Sequence, residues 1–321
     1  MKGVLLIHVW LMALAMTSFV TSREPEIKDL SGTIPATVDT DSIRVSSPVY
    51  LSIDHGQTWK PADTGLPAGE SINALIVHNN LVFGATNSHG VWVMDKNGWS
   101  IQSRGLPKGA RVISLMSNNN ILYAGLYHGG LYFSIDDGYT WIKSANEPTA
   151  NVRALGTFND AIYAGTDNGI YRVNIRPGTW DLLLGGQQIN AFAADDEYVY
   201  GGTSKGVVRS SGSGWTTIYK GGAVSTIALN KNEISIMDYS ENVFRSFRGE
   251  PVFIRENIYL PHTHYFRLTP SSRKLIGNEW TDMSLLKGPN HGALPNALPL
   301  NLLIRTPFGL LAASSKPLGG C

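Results

Sequence analysis

The chain repeats itself, and this repeat constrains the fold more than any other feature of the sequence. An apolar segment is followed eleven residues later by a segment of aromatic and small residues. Seven pairs keep that offset: Ile72 and Phe83, Val112 and Tyr123, Val152 and Tyr163, Ile189 and Tyr200, Val224 and Ser235, Tyr265 and Ile276, and Leu300 and Leu311. Successive pairs lie 35 to 41 residues apart. The sequence therefore contains seven units of one repeating structure.

Each unit has the pattern of four short strands, which we name A to D. In the second unit, strand A is Val112–Ser117, strand B is Ile121–Gly125, strand C is Gly130–Ser134 and strand D is Trp141–Ser144. Alternating apolar residues bounded by Gly, Asn and Asp are typical of strands joined by tight turns. Four antiparallel strands per repeat predict an all-β, seven-bladed β-propeller.

The two ends of the chain complete each other in this scheme. The seventh unit supplies inner strands at Leu300–Ile304 and Leu310–Ser314, and no outer pair follows them. Near the other end, Pro48–Ser52 and Trp59–Pro61 have the pattern of an outer pair without an inner pair. We expect the N-terminal outer strands to join the C-terminal inner strands and close the ring. Closure removes exposed sheet edges, and residues 45–321 then form a single propeller.

A motif of the form Ser-x-Asp-x-Gly-x-Thr-Trp, here called the box, occurs at Ser52–Trp59 and again at Ser134–Trp141. The box falls on the turn between strands C and D. Its Asp can accept hydrogen bonds from its own turn, its Gly tolerates positive φ, and its Trp can pack under the hairpin. We therefore interpret the box residues as structural rather than catalytic: Ser52, Asp54, Gly56, Trp59, Ser134, Asp136, Gly138 and Trp141.

These two boxes resemble the Asp-box, or bacterial neuraminidase (BNR), repeat. Residues 45–321 as a whole are similar to seven-bladed propellers of the sortilin-type, photosystem-assembly-factor-like and propeller-glycosidase-like group. The resemblance implies the propeller fold, and it leaves several functions open. Sialidase activity is disfavoured, because the expected Arg-Ile-Pro segment is missing and Arg153, Arg267 and Arg305 occupy different positions of their units.

The N-terminus and the composition indicate a secreted protein. Residues 1–22 have one charge, Lys2, before a long apolar run and a small-residue cleavage site, as in a signal peptide. A retained signal anchor is the alternative. Residues 23–44 are predicted to be a flexible spacer. The single cysteine, Cys321, excludes an internal disulfide. A bacterial periplasm or exterior fits best, with no membrane insertion after cleavage of the signal.

The same numbers exclude some partners and cofactors. The net charge is +1, and removal of Lys2 makes it zero, so the chain lacks the basic surface of a nucleic-acid-binding protein. His262, His264 and His291 could share a metal ion, but the alternative, ordinary loop histidines, is favoured. We predict no metal and no cofactor.

The candidate site is the mouth of the central channel, where the B–C and D–A loops meet. Its proposed ligand-binding residues are His89, His128, Arg153, Asp167, Lys205, Asp238, Tyr239 and Glu279. A glycoside hydrolase would need two carboxyl groups from this set, and Asp167, Asp238 and Glu279 could supply them.

Three functions remain open. The first is a secreted, non-catalytic propeller that binds a protein, a peptide or a glycan at the channel mouth. The second is a glycan-active hydrolase that uses the loop carboxylates. The third is an assembly factor for a membrane complex, for which Arg111 and Arg153 are the only adjoining arginines of the expected basic patch. The sequence indicates neither the ligand nor the oligomeric state.

Overall fold

The computed structural model describes residues 47–54, 58–148, 151–176, 178–229, 233–240, 242–247, 252–255 and 300–314. These residues form only β-strands and connections. The strands are β1 Val49–Ser52, β2 Lys60–Pro61, β3 Ile72–His78, β4 Leu81–Thr86, β5 Val91–Asp95, β6 Gly98–Ile101, β7 Val112–Asn118, β8 Ile121–Leu126, β9 Gly130–Ser134, β10 Ile142–Lys143, β11 Val152–Phe158, β12 Ala161–Thr166, β13 Gly169–Asn174, β14 Thr179–Gly185, β15 Ile189–Ala194, β16 Val199–Thr203, β17 Gly206–Ser210, β18 Thr216–Lys220, β19 Val224–Leu229, β20 Glu233–Asp238, β21 Val243–Phe247, β22 Ile254–Arg255, β23 Leu300–Thr306 and β24 Gly309–Ser314.

The strands form six antiparallel sheets of four strands each. Five sheets take consecutive strands: β3–β6 is blade 1, β7–β10 blade 2, β11–β14 blade 3, β15–β18 blade 4 and β19–β22 blade 5. The innermost strands of neighbouring blades pack side by side, in the order β23, β3, β7, β11, β15 and β19. Blades that meet through their innermost strands define a propeller, so the predicted fold class is confirmed.

The remaining sheet joins N-terminal outer strands to C-terminal inner strands, as predicted. Its order is β2-β1-β24-β23, and we call it blade 7. Strand β1 pairs antiparallel with β24, with Tyr50 opposite Ala312 and Leu51 opposite Leu311. Hydrogen bonds between the two ends of the chain therefore hold the closing blade together, and no disulfide is needed.

Some predictions fall outside the described residues. They are the signal peptide at 1–22, the spacer at 23–44 and the sixth repeat unit, which contains the Tyr265 and Ile276 pair. No helix long and apolar enough to cross a membrane occurs in the part of the chain that the structure describes.

The A–B hairpins have turns that suit their sequence. Asn79 and Asn80 have φ values of 46° and 61°, and Asn119 and Asn120 have φ values of 48° and 58°. Two successive residues with positive φ form the type I′ turn, whose twist matches that of the flanking strands. Asparagine tolerates this region better than other side chains, so the Asn pairs fix the register of these hairpins.

In blades 1 and 2, a tryptophan at the start of the outer strand joins the blade to the one before it. The Trp141 indole is 3% exposed, and its Nε1 donates to Gln102 O of blade 1 over 2.8 Å. Trp99 makes the equivalent bond to Ala62 O, also at 2.8 Å. We expected the box Trp to pack under its own hairpin, whereas the indole also reaches the neighbouring blade. It is therefore a contact between blades.

The hydrogen bonds of the Asp136 carboxylate lie within the turn of the second box. Asp136 Oδ1 accepts from Ser134 Oγ at 2.7 Å and from Thr140 N at 2.8 Å, and Asp136 Oδ2 accepts from Thr140 Oγ1 at 2.5 Å. The first box repeats the arrangement, with Ser52 and Thr58 donating to Asp54. Gly56 lies outside the described residues. The box aspartates are thus saturated by their own turns, which fits the structural interpretation.

Replacing Asp136 by alanine should destabilise the fold without touching the channel mouth. We expect the free energy of unfolding to fall by about 1–2 kcal/mol, because the Thr140 and Ser134 donors lose a charged acceptor. Urea unfolding followed by circular dichroism measures the change. Ile135→Ala in the same turn, with a side chain that is 56% exposed, should shift stability by less than about 0.5 kcal/mol. Equal stabilities for the two variants would contradict this role.

Candidate functional site

Every described innermost strand carries a β-bulge at its second residue. The pairing register shifts between Ile72 and Ala74 in β3 and between Val152 and Ala154 in β11, and the same shift occurs in the other innermost strands. The residues at the shift are Asn73, Ile113, Arg153, Asn190, Ser225 and Asn301. A bulge redirects a side chain and often lies beside a functional site. The bulged residues of blades 1 to 5 lie at the start of the channel.

The channel is narrow below these bulges. Asn73, Ile113, Arg153, Asn190 and Ser225 line a cavity of about 50 Å³, together with apolar residues of the innermost strands. A water molecule needs roughly 10–15 Å³ of such space. The cavity has room for a few waters and no more. A ligand larger than a few waters does not fit in this cavity.

The bulged asparagines of blades 1 and 4 each bond to the next blade. Asn73 Nδ2 donates to Val112 O over 2.7 Å, and Asn190 Nδ2 donates to Val224 O over 3.1 Å. Each acceptor is the first residue of the next innermost strand. Both side chains are almost fully buried. These amides are structural, which distinguishes them from the bulged residue of blade 3.

Arg153, the bulged residue of blade 3, bonds to a loop at the mouth. Its Nε donates to Asp167 Oδ1, and Asn151 Nδ2 donates to Asp167 Oδ2. Asn151 Oδ1 accepts from the backbone N–H of His128 in blade 2 over 2.6 Å. The Arg153 side chain is 16% exposed and that of Asp167 is 37% exposed. Three of the predicted site residues, His128, Arg153 and Asp167, therefore belong to one network.

Two aromatic contacts extend this network across blade 2. The rings of Tyr127 and His128 lie 4.0 Å apart, and the Arg111 guanidinium carbon lies 4.8 Å from the centre of the Tyr127 ring. Arg111 Nε is buried and has no hydrogen-bond partner among the described residues. We call Arg111, Tyr127, His128, Asn151, Arg153 and Asp167 the mouth cluster. It combines two cations, a carboxylate and two rings on one side of the channel mouth.

A second polar group lies at the mouth of blade 1. Glu70 is 6% exposed and accepts from Ser71 N and Asn87 N, each at 3.0 Å, and from Ser88 Oγ at 2.9 Å. The predicted site residue His89 also bonds to Glu70 through Nδ1. Burial raises the pKa of Glu70, but the hydrogen bonds from His89, Ser71 and Ser88 outweigh it and hold that pKa below its usual value. Glu70 thus fixes the loop that displays His89.

The lowered pKa of Glu70 predicts a loss of stability in acid. A carboxyl group whose folded pKa lies below its unfolded pKa, about 4.3 for Glu, stabilises the fold above that value, and the contribution disappears as the pH falls through the folded pKa. We expect the free energy of unfolding to drop below about pH 4.3. Urea unfolding at a series of pH values measures this drop. Asp54 and Asp136 also have lowered pKa values, so Glu70→Gln should reduce the drop without abolishing it. An unchanged acid slope in that variant would contradict the assignment.

The other predicted site residues do not join either group. Asp238 accepts from Asn242 N and Asn242 Nδ2, both at 2.9 Å, within its own turn. Lys205 N donates to Thr203 Oγ1, and Tyr239 is 50% exposed. Glu279 lies outside the described residues, as do His262, His264 and His291. The described residues hold no cluster of three potential metal ligands.

Sequence reasoning missed Glu70 and Asn151. Asn151 directly precedes an innermost strand, at the same place as Arg111 in blade 2. Aligning the repeats on that position would have drawn attention to it. The expectation that the arginines do not converge agrees with the described pair, since Arg153 lies at the start of β11 and Arg305 near the end of β23. Arg267 lies outside the described residues.

Comparison with known proteins supports the fold. No family model and no curated protein matches the chain. The extracellular domain of BT4673 from B. thetaiotaomicron aligns with a TM-score of 0.51 and 16% identity, over 59% of this chain and 28% of that one. An ancestral GH74 enzyme aligns with a TM-score of 0.50 and 15% identity, over 66% of this chain and 33% of the enzyme. The chain spans a third or less of either relative, and at these identities the likeness concerns the fold alone.

Proposed function

We propose that this protein is a secreted, non-catalytic propeller that binds a protein, peptide or glycan at the channel mouth. The observation that carries the proposal is the mouth cluster. Arg111 has a buried Nε beside Tyr127 that finds no hydrogen-bond partner among the described residues, and Asp167 is held in place by Arg153 and Asn151. Partly exposed charges and rings fixed on a rigid scaffold are what a binding site requires.

Secretion is part of the same proposal. The apolar segment of residues 1–22 supports it, as does the structural likeness to an extracellular domain. N-terminal sequencing of the protein recovered outside the cytoplasm of the producing cell should begin near Arg23. A product that keeps Met1 would favour the retained anchor.

Hydrolysis is the alternative, and the contacts of the carboxylates favour it less. Asp167 is bonded to Arg153 and Asn151, and Asp238 is bonded to Asn242. Each carboxylate therefore accepts hydrogen bonds within its own blade, Asp167 in blade 3 and Asp238 in blade 5. Assembly of a membrane complex is the third possibility, and it would use the same two arginines of the mouth cluster.

A binding screen with matched variants tests the proposal. Full-chain protein is applied to glycan and peptide arrays, and any hit is titrated against the wild type, Arg153→Met and Arg209→Met. Arg209 is half-buried like Arg153, but it contacts Tyr198 in blade 4, at 4.3 Å from the ring. We expect at least a tenfold weaker Kd for Arg153→Met and an unchanged Kd for Arg209→Met.

The same preparation distinguishes binding from catalysis. Turnover on a glycoside panel that disappears in Asp167→Asn or Asp238→Asn would overturn the non-catalytic proposal and establish the hydrolase. Equal affinities for Arg153→Met and the wild type would overturn the assignment of the site. Capture of a membrane complex that depends on Arg111 and Arg153 would favour the assembly factor.

A further inference from the structure

The outer edges of the described blades differ in length and charge. Strands β2, β10 and β22 have two residues each and end in a charge or a proline, as Lys60–Pro61, Ile142–Lys143 and Ile254–Arg255. Strand β18 ends in Lys220. Short strands, charges and prolines are the devices by which proteins prevent edge-to-edge pairing. Four of the described blades therefore have protected edges.

Strand β14 in blade 3 lacks these devices. It runs for seven residues, Thr179–Gly185, without Lys, Arg or Pro. Leu182 is 56% exposed and Leu183 is 37% exposed. The inner side of β14 pairs with β13, and no described strand pairs with its outer side. A long, leucine-rich outer strand is an open template for another strand.

The contacts of the outer tryptophans show the same difference. Trp99 N donates to Thr64 O, and Trp141 N donates to Arg104 O, each over 2.8 Å, so the preceding blade covers part of the edge of blades 1 and 2. Among the described residues, no backbone group of another segment bonds to the outer edge of Thr179–Gly185. Side chains of blade 2 reach only the start of this edge, where Trp180 Nε1 donates to Ser144 Oγ and Asn146 Nδ2 donates to Gly178 O, each over 3.2 Å. The backbone edge of Thr179–Gly185 is therefore open, whereas those of blades 1 and 2 are partly covered.

We propose that β14 is an interface at which a second copy of this chain pairs antiparallel with the first. An isologous pair requires a surface that complements itself, and the backbone of an open strand does so in the antiparallel orientation. Strand β14 has one charge, Asp181, which forms an ion pair with Arg172 of the same chain at 2.8 Å. Neither copy therefore brings an unpaired charge to the interface.

The middle of the strand sets the symmetry axis. Leu182 is the central residue of Thr179–Gly185, so a pair centred there uses the full length of both strands. A twofold axis at Leu182 places the two Leu182 side chains next to each other and removes both from water. The chain has a net charge of only +1, which favours self-association over repulsion. The pair is small, and its population depends on concentration.

Sedimentation and cross-linking of the full chain test the interface. We expect the wild type to shift from one to two chain masses as its concentration rises. Leu182→Lys should stay at one mass, because a lysine on the edge resembles the protected blades. Ile142→Lys, the matched control on the exposed outer strand of blade 2, should associate like the wild type.

A disulfide trap identifies the occupant. In a Cys321→Ser background, Leu182→Cys should form a covalent dimer on mild oxidation, because opposite Cα atoms in an antiparallel pair lie about 4.5–5.5 Å apart, within disulfide range. Ile142→Cys should not. A wild type that stays monomeric at every concentration would overturn the proposal, as would a dimer that Leu182→Lys leaves intact or a trap that forms equally at both positions.

Discussion

Replacing Trp141 by alanine is expected to lower the free energy of unfolding by about 3–5 kcal/mol, the range for a buried Trp. The indole is 3% exposed and packs in a cluster that includes Phe83 of blade 1 and Leu122 of blade 2. Truncation leaves a cavity between the two blades and removes the Nε1 donor from Gln102 O. A loss of this size is a large part of the roughly 5–15 kcal/mol that stabilises a typical domain.

Urea unfolding followed by circular dichroism measures this loss, and a nearby residue supplies the control. Tyr139 lies two positions earlier in the same box and is 68% exposed. Tyr139→Ala should change stability by less than about 0.5 kcal/mol, as surface substitutions usually do. If Trp141→Ala lowered the free energy of unfolding by no more than Tyr139→Ala, the tryptophan would not stabilise the contact between the two blades.

Gly105→Ala is the second large effect that we expect. Gly105 has a φ of +95° in the connection that leaves blade 1, and an added Cβ would lie 2.1 Å from Trp141 O. An alanine there combines backbone strain with a clash against the main chain of blade 2. Strain alone costs about 1–2 kcal/mol, and the clash should raise the total to roughly 3 kcal/mol or more.

Gly109 separates these two causes. It lies four residues later with a φ of +72°, and the nearest atom to an added Cβ is Ser88 O at 4.0 Å. Gly109→Ala should therefore show the strain alone, about 1–2 kcal/mol. Thermal and urea unfolding of both variants gives the comparison. Equal losses in the two variants would mean that the close approach of Gly105 to Trp141 is not a tight contact in solution.

The fold was predictable because the repeat consists of residues with strong local conformational preferences. The eleven-residue offset marks strands A and B, and the Asn pairs of the A–B turns require positive φ. Ring closure followed from counting strands at the two ends. The partner of each outer tryptophan was not predictable, because Gln102 O lies 39 residues from Trp141 and the choice of neighbour depends on how blades stack.

The site was predictable only in part, for a related reason. Arg153 and Asp167 could be placed at the mouth from strand order alone. The β-bulge at Arg153 could not be predicted, because a single shift of register leaves the alternation of apolar residues in β11 almost unchanged. Glu70 and Asn151 were missed because their roles come from contacts with the following B–C loops, at Asn87 and Asp167. Such contacts are set by the packing of loops.

Hydrogen–deuterium exchange with and without a ligand from the array screen tests most directly whether the mouth cluster binds the ligand while the boxes, on the opposite face, only stabilise the fold. We predict new protection in the B–C loops at Tyr127–Gly130 and Asp167–Gly169, and unchanged exchange in the box turn at Ile135–Thr140. Protection confined to the box turn, with the two loops unchanged, would contradict the account.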